Sequence, residues 1–389
     1  MKVPTAVAAR LVSAAVQALL LLVLARQSEP AELATIVAMQ AGFGFMTTTL
    51  ELGIARELTV SAAKRAKSEY QFLSRLHAIG CLVFVALTVI VSAVLDLGYI
   101  PPAIAVYAVA ERRISALLSA AVAVGKFHTS SMLLMVGRLS LVAVYFSGAA
   151  LAPGEPVSTY AIAIATTSTL LAISFEFLPE LVEQTATKRR PLSEILRVSI
   201  HYWIATMLGQ VRSLDVVLVT GLVPTSAAAL YALPSRSLQP MRLVGTSIAG
   251  LAFPVAASGD SKRTTQLLRI ATLSASAAIF VVLLVSPFVP RFLNQAVGPE
   301  YEAASLAFIL MAIGAAINMP GAVLSSILQA KQYQRHITIL SVALTIFQFS
   351  AIVVLSGIFG INGAAAAVPA TFALQLTVTA LLYRRIAHE

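Results

Sequence analysis

Two short stretches bring charged side chains into otherwise apolar sequence. ERRIS (111–115) sets Glu111, Arg112 and Arg113 side by side, and GQVRSLDVVLV (209–219) sets Arg212 three positions before Asp215. A guanidinium group donates paired hydrogen bonds to phosphate or carboxylate, so arginines held away from bulk water suit an anion. A carboxylate in the same surroundings suits a coupling ion, a gate, or simple pairing with such an arginine. Arg138, Arg236 and Arg242 stand in apolar runs of their own. Arg112, Arg113, Arg138, Arg212, Arg236 and Arg242 are therefore the candidate substrate-binding set. Asp215, Glu111, Glu51 and Glu176 are the candidate ion-coupling or gate residues. Glu51 and Glu176, with Arg56, Glu57 and Glu180, lie at the ends of apolar runs, where solvated charges of little energetic weight are the plainer reading.

What positions these groups is a membrane. The chain has 389 residues, of which 58% are hydrophobic and 11% charged, and its mean hydropathy is +0.87. Soluble domains carry roughly a quarter charged residues, so too few polar groups are present to coat a water-facing surface. The net charge of +10 is expected of loops facing anionic lipid, not of a nucleic-acid partner. Cys81 is the single cysteine, and the histidines at 77, 128, 201, 336 and 388 have no metal-ligand spacing, so no metal or cofactor is expected. Lys2 and Arg10 flank an apolar run too long for a cleaved leader, and the first helix is expected to stay.

Twelve windows match the ~20 apolar residues that a spanning helix needs: 5–25, 33–55, 76–97, 102–125, 129–149, 157–178, 197–222, 226–255, 267–289, 303–328, 335–356 and 360–383. Continuous runs favour helices over a barrel. With the N-terminus inside, the inner segments hold Lys2, Arg56, Lys64, Arg65, Lys67, Arg75, Lys126, Lys188, Arg189, Arg190, Arg197, Lys262, Arg263, Arg269, Lys331, Arg335, Arg384 and Arg385. The outer segments hold only Arg26 and Arg291. That asymmetry predicts twelve helices with both termini cytoplasmic.

The longest connection, a basic inner loop containing Pro191, falls at the midpoint. It divides the chain into an N-terminal six-helix lobe (1–183), a cytoplasmic linker (184–196) and a C-terminal six-helix lobe (197–389). LLSAAVAVGKFH (117–128) and VLSSILQAKQYQ (323–334) align Leu118 with Leu324, Ser119 with Ser325 and Phe127 with Tyr333. The expectation is an all-α integral membrane protein, with two pseudo-symmetric lobes around a central cavity.

At ~1.5 Å per residue, Glu111, Arg112 and Arg113 fall near the midplane, too deep to snorkel. Successive helical residues fan out by about 100°, so the three cannot share one lumen. On the seventh span the same step puts His201, Leu208, Arg212 and Asp215 on one stripe. Arg212 and Asp215 then form either an ion pair with no further duty or an anion site beside a coupling residue. Prolines 234, 240, 254 and 320 are expected to bend the eighth and tenth spans.

Several stretches resemble the polysaccharide-unit flippases of the multidrug/oligosaccharidyl-lipid/polysaccharide exporter superfamily. LARQSEPAELATIVAMQAGFGFMTTTLELGIAREL (24–58) resembles the first hairpin of that family. SLDVVLVTGLVPTSAAALYALPSR (213–236) is similar to its seventh helix and following turn, with Ala229 where the family has glycine. VGPEYEAASLAFILMAIGAAI (297–317) is similar to its entry to helix ten. The resemblance implies a bacterial inner-membrane protein that moves an undecaprenyl-pyrophosphate-linked oligosaccharide to the outer leaflet, with glycosyltransferases and a polymerase as partners. No GxxxxGK[ST] run is present, so coupling to an H+ or Na+ gradient is expected. The alternative is a multidrug cation antiporter of the same superfamily, which would want acids at its substrate site. An enzyme is disfavoured, because the outer loops are short and nearly uncharged.

Overall fold

The computed structural model describes residues 3–64, 66–177, 190–257, 261–331 and 333–388. Lys2, Arg65, Glu180, Lys188 and Arg189 lie outside the described residues, as do residues 184–189 of the predicted linker and the side chain of His201. Every described element is helical: α1 (Val3–Gln27), α2 (Pro30–Leu50), α3 (Ile54–Ala63), α4 (Lys67–Val94), α5 (Ile100–Ala123), α6 (Phe127–Leu151), α7 (Pro156–Glu176), α8 (Leu192–Val211), α9 (Asp215–Leu222), α10 (Thr225–Ser237), α11 (Gln239–Ala257), α12 (Ser261–Val285), α13 (Val289–Ala296), α14 (Ser305–Ala330) and α15 (Gln334–His388). Single 3-10 segments cover Arg212–Leu214, Ser286–Phe288 and Pro299–Ala304.

All twelve predicted windows lie on these helices. The second is α2 plus α3, the seventh α8 plus α9, and the eighth α10 plus α11. The eleventh and twelfth are the two arms of α15, which turns at Gly360 (φ 59°). The eighth span breaks at Leu238, between Pro234 and Pro240, where a proline in the first turn suits a new helix start. The tenth runs through Pro320 as one element. Seven of the described helices are long and apolar enough to cross a bilayer. This is an all-α, multi-pass membrane protein.

Contacts divide the chain into two compact units, 1–16 with 38–214, and 17–37 with 215–389. In the first, α5 packs on α3, α4 and α7; in the second, α14 packs on α11, α12 and α15. These are the equivalent spans of each half, the second, third and sixth around the fourth. The aligned pairs Leu118 and Leu324, and Leu117 and Val323, are buried on the two central helices, so the sequence repeat marks a repeat of packing. Small residues allow this closeness: a Cβ on Gly314 would stand 3.0 Å from the Pro369 nitrogen. Peripheral helices differ. Only 11% of the apolar window around α12 is buried, against 56% around α14, so the former offers its side chains to lipid.

The break between α2 and α3 matters most for function. Leu52 (φ 48°) and Gly53 (φ 77°) leave the helical region there, and a Cβ on Gly53 would stand 2.7 Å from the Ser199 carbonyl oxygen of α8. The Ser199 hydroxyl donates to the Leu52 carbonyl at 3.0 Å, satisfying an acceptor freed where the helix ends. Glycine is required both for the left-handed backbone and for the close approach.

Candidate functional site

Glu51 stands at this break and faces α5. Arg112 of α5 reaches its carboxylate at 2.7 Å, and the His77 Nε2 of α4 approaches the other oxygen at 3.4 Å. His77 Nδ1 lies 3.3 Å from an Arg113 nitrogen. An arginine N–H can only donate, which assigns Nδ1 as acceptor and places the imidazole hydrogen on Nε2, toward Glu51.

Glu51 and Arg112 form part of the wall of a cavity of about 240 Å³. Thr48, Thr59, Ser115, Ser119 and Trp203 complete much of that wall, and Arg56 also borders it. The Trp203 indole donates to the Thr49 carbonyl at 3.0 Å, which fixes the ring. Arg112 keeps a buried Nε without a hydrogen-bond partner. The Thr48 and Thr59 hydroxyls donate to their own helices at the Gly44 and Ala55 carbonyls (2.8 and 3.0 Å), so the chamber combines the Ser115 and Ser119 hydroxyls, an indole face and a guanidinium, a set suited to a polar anion.

The other charges of ERRIS turn elsewhere. Glu111 pairs with Arg138 of α6 and accepts from the Ser168 hydroxyl of α7 at 2.9 Å. Arg138 Nε donates to the Ser13 hydroxyl of α1 at 2.9 Å. Arg113 pairs with Glu176 at the end of α7 and donates to the Ser74 hydroxyl and carbonyl of α4 at 2.6 and 3.1 Å. Arg113 and Arg138 are buried. Of the three ERRIS charges, Arg112 is the one on the cavity wall.

The predicted stripe on the seventh span is corrected. The 3-10 turn at Arg212–Leu214 has about three residues per turn, so positions before and after it do not keep one helical register. Asp215 begins α9, buried, with one oxygen accepting from its neighbour's Val216 N–H at 2.8 Å and the other from the Tyr231 hydroxyl of α10 at 2.9 Å. Its carboxylate is thus engaged by Tyr231 and by the backbone. Arg236, in the last turn of α10, and Arg242, in the first turn of α11, are half-buried, and Arg242 has a buried Nε without an acceptor. Arg212 is half-buried in its turn.

Two residues escaped the sequence reading. His77 has a sequence signal only in its i, i+4 neighbour Cys81, whose Sγ lies 3.7 Å from Nδ1. Arg190 spans Glu57 of α3 at 2.7 Å and Glu69 of α4 at 2.6 Å, with the Ser61 hydroxyl donating to Glu69. Hydrogen bonding to Glu69 first, and to Glu57, holds the Arg190 guanidinium above its ordinary pKa. Glu57 is buried in this clasp and is not a solvated end charge. No cluster of metal-ligating side chains occurs among the described residues.

Neither a protein-family model nor a curated protein sequence matches the chain. Solved structures do. A multidrug resistance MATE family transporter of the MOP superfamily, in an inward-facing conformation, matches with TM-score 0.70 and 14% identity, over 97% of this chain and 95% of that one. The lipid II flippase MurJ, in an inward closed conformation, matches with TM-score 0.73 and 13% identity, over 97% and 86%. The Vibrio cholerae MATE transporter VcmN matches with TM-score 0.67 and 16% identity, over 98% and 97%. The fold is that of the MOP-superfamily transporters. Multidrug transporters and a lipid flippase thus share this fold.

Proposed function

We propose that the protein flips an anionic lipid-linked oligosaccharide, of the undecaprenyl-pyrophosphate class, across a bacterial inner membrane. The observation that carries this reading is Arg112 on the wall of a hydroxyl-lined cavity, with Glu51 as its partner and one donor unused. A pyrophosphate displaces the carboxylate from the guanidinium, and the hydroxyls and indole receive sugar. A multidrug cation antiporter needs an acid open to its cargo, whereas Glu51 is neutralised by Arg112 and flanked by His77. Arg212, Arg236 and Arg242 are the further basic groups assigned to the anion. Glu51 and His77 are assigned to coupling with H+ or Na+, with Asp215 held in reserve by Tyr231. Glu111, Arg113, Arg138 and Glu176 brace α5.

In this scheme the two six-helix lobes rock to change the side of access, both termini are cytoplasmic, glycosyltransferases supply the cargo and a polymerase consumes it. The test is translocation of an undecaprenyl-pyrophosphate-linked oligosaccharide in reconstituted vesicles. Arg112→Gln should slow it about 10- to 100-fold, the worth of one charge-assisted hydrogen bond. A wild-type rate would defeat the assignment. Arg112-independent uptake of a fluorescent organic cation would favour the antiporter.

A further inference from the structure

The polar cavity is not closed on the side of α4. Its wall residues Glu51 and Arg112 also border a neck of about 30 Å³, where they meet His77, Cys81, Leu50 and Phe84. Leu50 and Phe84 in turn border a third space, a groove of about 550 Å³ between α2 and α4. The groove is lined by Phe43, Met46, Leu87 and Val91, and reaches Leu97 and Pro101 at the start of α5. Two of its hydroxyls are already spent on their own helices, Thr49 on the Phe45 carbonyl and Thr88 on the Phe84 carbonyl, each at 2.9 Å. Its surface therefore favours hydrocarbon. Met46, Leu50, Leu87 and Val91 are exposed on helices long and apolar enough to lie in a bilayer.

An apolar groove and a cationic, hydroxyl-lined chamber that share a neck fit an occupant with two chemically distinct ends. We propose that the groove between α2 and α4 seats the polyprenyl tail of the transported lipid. The neck at Leu50, Phe84 and Glu51 is then the point where tail meets pyrophosphate. This rests on the flippase reading above and deepens it, because it specifies where the tail stays while Arg112 holds the head. Neither end alone explains the arrangement: a free sugar phosphate has no use for the groove, and bulk phospholipid has no need of the chamber.

Cys81 on the neck is the chain's single cysteine, so its alkylation in reconstituted vesicles reports occupancy directly. Undecaprenyl pyrophosphate should slow N-ethylmaleimide labelling of Cys81, whereas inorganic pyrophosphate and phosphatidylglycerol should not. Met46→Trp and Leu87→Trp fill the groove without touching the chamber. Each should weaken undecaprenyl pyrophosphate binding by at least about tenfold, as expected when several buried methylenes are displaced. Leu139→Trp, on an exposed position of α6 outside the groove, should leave it unchanged. Arg112-dependent binding that survives both tryptophans, with Cys81 unprotected, overturns the groove and leaves the flippase reading intact. Equal protection by phosphatidylglycerol also overturns it. Absence of Arg112-dependent binding in the wild type removes the function itself and the groove with it.

Discussion

Arg112 Nη2 lies 2.7 Å from a Glu51 carboxylate oxygen, where the polar cavity and its neck share a wall. The arginine belongs to the interior of α5 and the glutamate to the break after α2, so the pair ties a central helix to a discontinuity. Arg112 also keeps a buried Nε without a hydrogen-bond partner, so Glu51 alone does not satisfy the guanidinium.

Removing the competitor should separate binding from turnover. Glu51→Gln is expected to tighten binding of undecaprenyl pyrophosphate by about tenfold, since a charged partner no longer competes for Arg112. Translocation should slow, because nothing then displaces the bound anion. Equal binding in wild type and variant, measured by titration in nanodiscs, would contradict the competition.

The Glu111–Arg138 pair should behave as a structural bond. Arg138→Met leaves Glu111 facing α6 without its cation, which should cost about 3–5 kcal/mol, while the double variant Glu111→Leu with Arg138→Met should recover most of it. Thermal unfolding in detergent checks both. A double variant no better than the single one would show that the pair does more than brace the helix.

At Gly53, alanine meets two obstacles, a left-handed backbone and the Ser199 carbonyl. Gly53→Ala should destabilise the protein by about 1–3 kcal/mol. It should also slow translocation beyond that loss, because the displaced turn carries Glu51. Wild-type melting temperature and rate together would remove the turn from the mechanism.

Arg190 clasps two carboxylates, so Arg190→Gln should cost about 1.5–3 kcal/mol, reduced by the partial exposure of the guanidinium. The raised pKa sets the sign of the pH dependence. Stability from a cation held above its ordinary value is fully present below that value and is lost only as pH rises through the higher one. The difference in melting temperature between wild type and Arg190→Gln should therefore persist through the alkaline range, and a difference that shrinks there would refute the clasp.

Much of the architecture was legible because hydrophobic length and loop charge are properties of the chain alone. Twelve windows found their helices, and the resemblance between 117–128 and 323–334 marked the two central helices α5 and α14. The breaks were less legible: LELGIAREL (50–58) offers one glycine as a stop signal, and only the folded chain, with its left-handed backbone and the approach of Ser199, makes Gly53 obligatory. The partners of the charges were illegible. Periodicity shows that Glu111, Arg112 and Arg113 diverge, but which neighbour each one meets depends on helix packing. Arg190 meets Glu69 across 121 residues of sequence, and no local pattern announces that contact. Asp215 is the opposite lesson: its spacing from Arg212 left open an ion pair or an anion site beside a coupling residue, and in the fold its carboxylate, just past the tight turn at 212–214, accepts from Tyr231.

The divergence of three consecutive charges on α5 has a mechanical result. Glu111 is bolted to α6, Arg112 to the turn after α2, and Arg113 to α4 and α7. A twist of α5 about its own axis would shear several of these bonds at once, and a slide along that axis would do the same. Any displacement of α5 must therefore carry α2, α4, α6 and α7 along as a single block, and of these bonds the one to Glu51 lies on the cavity wall.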